Sequence, residues 1–307
     1  MKQASIFGLA ALLAVLALAG CGGENPAVPA INFTPASSDS GSTGSTSQLP
    51  GQLALVNGQP ITREMFEREM ARFEAGQAAL GFQVADQAAY QQQVLNLLIE
   101  QELIRQLAAE QGIVIDEAQI DAEINSMIAE TGQAYFDSWL ISNFYSLEEF
   151  RELVRMDMIT DRLIDPIISS IPTRGPHVHA RHILVNSPDE AASILNRLQA
   201  GEDFAALAAQ YSVDVTTRST GGDLGWFPRG VLLVPEVEEA AFNLAPGQLS
   251  GVIESALGYH VVQTLETDPD REIEPEARQR LITSAIENWR SSLRSGADVQ
   301  QLVSLSS

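Results

Sequence analysis

Lysine is almost missing from this chain: Lys2 is the only one, and arginine supplies every other basic side chain. Against 18 Lys and Arg stand 40 Asp and Glu, for a formal net charge of -22. That balance argues against a nucleic-acid partner and against docking on an anionic membrane surface. It suits basic or unfolded partners, and solubility alone accounts for it as well. Cysteine is equally scarce. Cys21 is the single one, so no internal disulfide can form. Long apolar runs are missing too. The run at residues 6–19 is too short for a comfortable membrane span. What is present is a chain of 307 residues, 45% of them hydrophobic, enough for two modest domains.

The run at 6–19 has the form of the apolar part of a signal peptide, with Lys2 as the positive region before it. It ends in Leu18-Ala19-Gly20-Cys21, which resembles a bacterial lipoprotein box. Small residues at 19 and 20 let a signal peptidase read the extended backbone. Cys21 offers a thiol for acylation and becomes the new N-terminus. A plain signal peptide with a chance cysteine, or an N-terminal membrane anchor, is the alternative. The four-residue match directly after a complete apolar region favours lipidation. Several acyl chains on one residue anchor stably, since each buried methylene adds about 0.8 kcal/mol. Residues 22–52 are rich in Gly, Pro, Ser, Thr and Asn. Such a stretch cannot bury enough surface to offset its ordering entropy, and it reads as a flexible tether.

Order is expected from Leu53-Ala54-Leu55-Val56-Asn57-Gly58-Gln59-Pro60-Ile61, a short strand with Asn-Gly as the turn signal. Thr62 can cap a helix running to about residue 75. A second helix spans about 86–111, with Val94, Leu97, Leu98, Leu103, Ile104 and Leu107 on an apolar stripe and Gly112 as its stop. Asp116 with Gln119, and Ser146 with Glu149, make capping-box pairs for a third and a fourth helix, the fourth ending near Pro166. Pro172, Gly175 and Pro176 mark a linker, and the pattern then changes. Residues 177–185 read as a strand. Ser187, Pro188 and Glu190 open a helix as N-cap, first-turn proline and capping-box partner, and Gly201 closes it. A short helix at 203–210, a Gly-rich loop, a helix at 235–243 and a strand pair across 251–265 complete a compact domain. Helical spacing returns after Pro275, with Ala277, Leu281, Ile282, Ala285, Ile286, Trp289 and Leu293 on one stripe. A lone amphipathic helix must bury that face, so it is expected to fold back on the N-terminal helices. The expected fold class is α+β. A mostly helical domain, 53–172 with the returning helix at 273–307, carries a compact α/β domain, 176–268, as an insertion around a small, mostly antiparallel sheet.

Four motifs of the second domain occur in a fixed order. They are His-Ile-Leu-Val at 182–185, Gly-Gly-Asp-Leu-Gly-Trp-Phe at 221–227, Glu-Glu-Ala-Ala-Phe at 238–242 and Gly-Tyr-His-Val-Val at 258–262. Together they resemble a parvulin-type peptidyl-prolyl isomerase domain. The flanking segments are similar, more loosely, to extracytoplasmic foldases and chaperones of the PrsA and SurA type. The match there rests on Val56-Asn57-Gly58-Gln59-Pro60-Ile61 and on Ala297-Asp298-Val299.

The resemblance implies isomerisation of X-Pro bonds without a cofactor. Such a bond prefers trans by only ~0.5–1 kcal/mol, yet exchanges slowly because twisting loses amide resonance. No covalent step is needed. A site can seat proline in an apolar pocket, desolvate the planar amide and favour the twisted form. By the same resemblance His182 and His260 are the paired central histidines. Ser255 stands where a hydroxyl bonded to that pair is usual, and Asp214 where parvulins carry cysteine or aspartate. Asp214 would tune the electrostatics beside the twisting amide rather than attack it. The proline pocket would be lined by Leu224, Phe227, one of Leu232 and Leu233, Val237 and Leu257. The chain departs from the family there: phenylalanine is usual at the positions of Val237 and Leu257, and one extra residue precedes Pro235.

Plainer readings stand beside these. A histidine can be a hydrogen-bonded core residue, and Asp214 can cap its loop. His177, His179 and His182 suggest a metal site only weakly. On a strand the first two share a face and the third points away, and no nearby cysteine or acidic cluster completes a ligand set, so no metal is expected. A Ser-His-Asp hydrolase lacks its nucleophile elbow, and Gly221-Gly222 lacks the lysine and helix of a phosphate loop. The expectation is a lipid-anchored, extracytoplasmic isomerase that assists folding of exported proteins. Its partners would be unfolded or partly folded exported chains with X-Pro bonds, and a membrane reached through Cys21. The alternatives are a holdase chaperone with a weak or inactive isomerase domain, and an envelope scaffold with one fixed partner.

Overall fold

The computed structural model describes residues 34–35, 51–79, 81 and 86–304. The expected leader with Cys21, and nearly all of the tether, lie outside the described residues. Contacts divide the chain into two compact units. One holds the described residues up to 166 together with those from 288 to 304, and the other holds 167–287. The mixture of helices with small antiparallel sheets is the expected α+β class.

In the first unit, β1 (Gln52–Val56) and β2 (Gln59–Thr62) form a hairpin. Asn57 and Gly58 both take positive φ, 50° and 83°, as a tight two-residue turn demands. A third strand, β7 (Val299–Gln301), pairs antiparallel with β1 in the register Ala54↔Gln301 and Val56↔Val299. Asn57 locks the end of that strand: its N–H donates to the Asp298 carbonyl, and the Asp298 N–H donates to Asn57 Oδ1, both at 2.8 Å. Five helices follow the hairpin: α1 (Arg63–Ala79), α2 (Gln87–Glu110), α3 (Glu117–Thr131), α4 (Gln133–Ser142) and α5 (Leu147–Ser170). Leu53, Val56, Ile61, Phe66, Leu95 and Ile99 make one apolar cluster between the sheet and the first two helices. Ile120, Ile124, Phe136, Phe150 and Val154 make a second one, on which Trp289 and Leu293 pack.

Both capping boxes form. The Asp116 carboxylate accepts from the Gln119 N–H at 2.9 Å, and the Glu149 carboxylate accepts from the Ser146 N–H at 2.9 Å. Three helix boundaries differ from expectation, and the expected linker residues Gly175 and Pro176 lie inside a strand. Helix α1 runs four residues past 75, to Ala79. Gly132, at φ 87°, separates α3 from α4. Helix α5 does not end near Pro166 but continues to Ser170. A proline inside a helix removes one hydrogen bond, and neighbouring turns can carry the helix past it.

The second unit is built on β3 (Arg174–Val185), β4 (Asp223–Pro228), β5 (Ile253–Ser255) and β6 (Gly258–Glu272), in the spatial order β4-β3-β6-β5 and antiparallel throughout. Side chains alternate between the two faces. Ile183, Val185 and Val261 pack against α6 (Pro188–Gln199) and α7 (Phe204–Tyr211). Val178, Ala180, Phe227 and Val262 pack against Val237 and Ala241 of α8 (Pro235–Asn243). Ser187 occupies the N-cap of α6 with Pro188 in the first turn, but its side chain makes no capping hydrogen bond, so the expected box with Glu190 is not formed. Helix α9 (Pro275–Ser295) follows β6. Among the described residues no helix is long and apolar enough to cross a membrane.

Ending the chain at residue 296 would remove β7 and its Asn57 lock. The unfolding free energy of the first unit should fall by roughly 2–4 kcal/mol, the scale of a few lost net hydrogen bonds and their packing. Urea melts of the truncated and intact chains, followed at the helical signal, check this. Coincident curves would show that β7 contributes nothing.

Candidate active site

Strand register brings the polar residues together. His260 lies opposite Leu184 on one side and opposite Ile253 on the other. His182 and Ser255 are each two residues from those positions, so all three side chains share the sheet face that packs on α8. Two glycines allow the close passes this requires. A Cβ on Gly222 would lie 2.0 Å from the His182 carbonyl oxygen, and one on Gly258 would lie 2.5 Å from that of Val185.

The result is a continuous hydrogen-bonded row. His182 Nε2 is 2.8 Å from Asp214 Oδ2, His182 Nδ1 is 3.3 Å from His260 Nδ1, and His260 Nε2 is 2.7 Å from Ser255 Oγ. The two rings lie 5.5 Å apart and 22° from parallel. With one proton on each ring, a single set of protons satisfies the row. The Asp214 carboxylate only accepts, so His182 Nε2 donates to it and leaves Nδ1 bare. His260 Nδ1 then donates to His182, and its own bare Nε2 accepts from the Ser255 hydroxyl. The Leu257 N–H in turn donates to Ser255 Oγ at 3.1 Å.

Two residues absent from the sequence-based list complete the site. Thr216 donates to Asp214 Oδ1 through its N–H at 2.9 Å and its hydroxyl at 2.6 Å, and the Thr217 hydroxyl donates to Oδ2 at 2.6 Å. Thr217 Oγ1 also lies 3.2 Å from His182 Nε2. The run Asp-Val-Thr-Thr at 214–217 carries the signal, because an aspartate before two hydroxyl residues favours such a turn. Asp214 thus caps its own loop and meets His182 with the same carboxylate. Burial opposes its ionisation, but the hydrogen bonds from Thr216, Thr217 and His182 outweigh burial and hold the carboxyl well below the usual range. Burial, and then the neighbouring His182, push His260 down to about 4, so it is neutral at pH 7.

Of the expected pocket residues, Phe227 and Val237 are buried in the cluster on the same sheet face, with Leu224 and Leu232 packed against it. Leu233 and Leu257 are not part of that wall. Leu233 is 98% exposed in the loop before α8, and Leu257 is 61% exposed in the turn between β5 and β6. Among the described residues no group of three or more His, Cys, Asp or Glu side chains is placed to hold a metal ion.

A fully bonded polar row that ends on the Asp214 charge, beside an apolar cluster, suits a reaction that needs shape and electrostatics. Comparison with known proteins identifies the domains. Residues 182–266 match the PPIC-type PPIASE domain, and residues 27–164 match a SurA-like N-terminal domain. The class is therefore a peptidyl-prolyl cis-trans isomerase of the parvulin type. Foldase protein PrsA of Caldanaerobacter subterraneus subsp. tengcongensis is 32% identical over 235 residues, covering 69% of this chain and 72% of that protein. Foldase protein PrsA of Halalkalibacterium halodurans is 32% identical over 213 residues, covering 63% of each. The crystal structure of the peptidylprolyl isomerase PrsA from Bacillus anthracis is 25% identical, covers 66% of this chain and 94% of that one, and superposes with a TM-score of 0.45. The chain belongs to the PrsA foldase family.

The depressed His260 titration carries a sign. An unfolded histidine takes up a proton near pH 6.5, which the folded ring resists until about 4. Stability from the neutral ring is therefore complete above pH 6.5 and is lost as pH falls towards 4. Urea unfolding of the full chain should show this decline, worth up to about 3 kcal/mol, and a His260→Leu variant should lose that part of the slope. An identical slope in the variant would assign the acid sensitivity to other groups.

Proposed function

We propose that this isomerase is a lipid-anchored, extracytoplasmic foldase that turns X-Pro bonds in exported proteins, with His182, His260, Asp214 and Ser255 as its working residues. The single observation that carries the site is the hydrogen-bonded row from Ser255 to Asp214 on an apolar sheet face. Phe227, Val237, Leu224 and Leu232 would receive the proline ring and strip water from the planar amide. Planarity places partial negative charge on the carbonyl oxygen, and twisting removes it. A fixed carboxylate nearby, at Asp214, disfavours the planar form more than the twisted one. The histidines hold that charge and the surrounding shape without exchanging protons with the substrate.

The location is supported by the leader, by the lipoprotein-like Leu18-Ala19-Gly20-Cys21 and by the foldase relatives. The helical segment, 53–172 with 273–307, would hold unfolded clients while the inserted domain, 176–268, isomerises their prolines. A holdase with weak isomerase activity is the second reading. It is favoured by Val237 at the wall and by the solvent-facing Leu233 and Leu257, which leave the pocket less aromatic than the family pattern implies.

Cis/trans exchange of a short X-Pro peptide, measured with the full chain, separates the two. The chain should accelerate exchange, and Asp214→Ala and His260→Ala should each lower kcat/KM at least about tenfold, equivalent to ~1.4 kcal/mol of barrier. Suppression of client aggregation without acceleration would favour the holdase. Release from the membrane fraction on Cys21→Ser, with the wild type retained, would support the anchor.

A further inference from the structure

Glu238 is not part of the polar row, yet it is among the most heavily bonded carboxylates of the second unit. Its Oε1 accepts from the Gly230 N–H at 2.7 Å, and its Oε2 accepts from the N–H groups of Val231 and Leu232, both at 3.1 Å. Three successive backbone donors thus converge on one carboxylate, an arrangement worth more than neutral hydrogen bonds of the same number. The loop they belong to is tied to α8 elsewhere too. Arg229 pairs with Glu239 at 3.1 Å, and its guanidinium lies 4.2 Å from the centre of the Phe242 ring. Gly230 is in the left-handed region at φ 86°, and a Cβ there would lie 2.9 Å from Leu281 Cδ2. The clamped loop carries Leu232 onto the cluster of Phe227 and Val237. Val237 precedes Glu238 on the same helical turn, so one turn of α8 supplies both a member of the apolar cluster and the clamp on the loop that brings Leu232 to it.

We propose that Glu238 is a positioning residue that fixes the width of the proline pocket, and with it the enzyme's discrimination between ring sizes. The inference rests on the proposed reading of this face as the proline site. A glutamine at 238 keeps the length of the side chain but offers one acceptor oxygen and turns an NH2 group towards backbone donors. The loop then loosens while the apolar cluster stays. One methylene in a tight apolar pocket is worth about 10–200-fold in selectivity, and a loosened wall gives that up.

The test uses the full chain and its Glu238→Gln and Glu238→Asp forms on two peptides, one with proline and one with its six-membered-ring homologue. For Glu238→Gln, kcat/KM on proline should fall about tenfold, mainly through KM, and the preference for proline over the larger ring should narrow at least threefold. Glu238→Asp should fall between the two. Amide hydrogen exchange at Gly230, Val231 and Leu232 should quicken about tenfold in the glutamine form. Unchanged kinetics and preference would overturn the proposal. So would equal loss on both peptides, which is what a merely structural role gives. Continued protection of the three amides would overturn it as well. A wild-type chain inactive on both peptides would instead sink the proline-site reading, and this inference with it.

Discussion

The pairing of β3 with β6 is the constraint on which the site depends. Residues two apart on neighbouring antiparallel strands share a face, and this register sets Ser255, His260 and His182 in a row across three strands. A slip of one residue would turn His260 to the other face. The apolar residues resist that slip from both sides. Val261 is held with Ile183 and Val185 in one cluster, and Val262 with Val178 and Ala180 in the other. The alternation that buries the core therefore also aligns the polar row, and stability and site geometry have one origin.

A polar row inside a protein is favourable only when every member is bonded. Here the sequence of donors ends on Asp214, whose carboxylate accepts hydrogen bonds from Thr216, Thr217 and His182. Because that carboxylate cannot donate, with one proton on each ring it determines the tautomer of His182, then that of His260, and finally the direction of the Ser255 hydroxyl. His260, with no exposed surface, stays neutral because burial disfavours its charge, and both of its ring nitrogens are already engaged. Such a row can hold fixed charge and shape beside an apolar cluster.

Local signals in the chain were legible where their physics is local. The Asn57-Gly58 turn and the boxes at Asp116 and Ser146 form because the interacting groups lie within four residues of one another. The same logic failed at Ser187, which takes the N-cap position without bonding through its side chain, and at Pro166, which α5 passes through. Strand β7 has only three residues, and its partner lies almost the whole described chain away, so periodicity carries no sign of it. The motifs at 182–185, 221–227, 238–242 and 258–262 carried the family because their order is itself a sequence property.

By itself the sequence determined the residue types, their alternation and their order. From these follow the α+β class, the parvulin-type domain and the candidacy of His182, Asp214, Ser255 and His260. Tertiary structure decided which of these groups meet and through which atoms. It sent Leu233 and Leu257 into solvent while keeping Leu232 on the wall, and it brought Thr216 and Thr217 to Asp214. The physical reason is range. Turns and caps depend on neighbours along the chain, whereas the face a loop residue presents depends on which distant strand or helix captures its backbone.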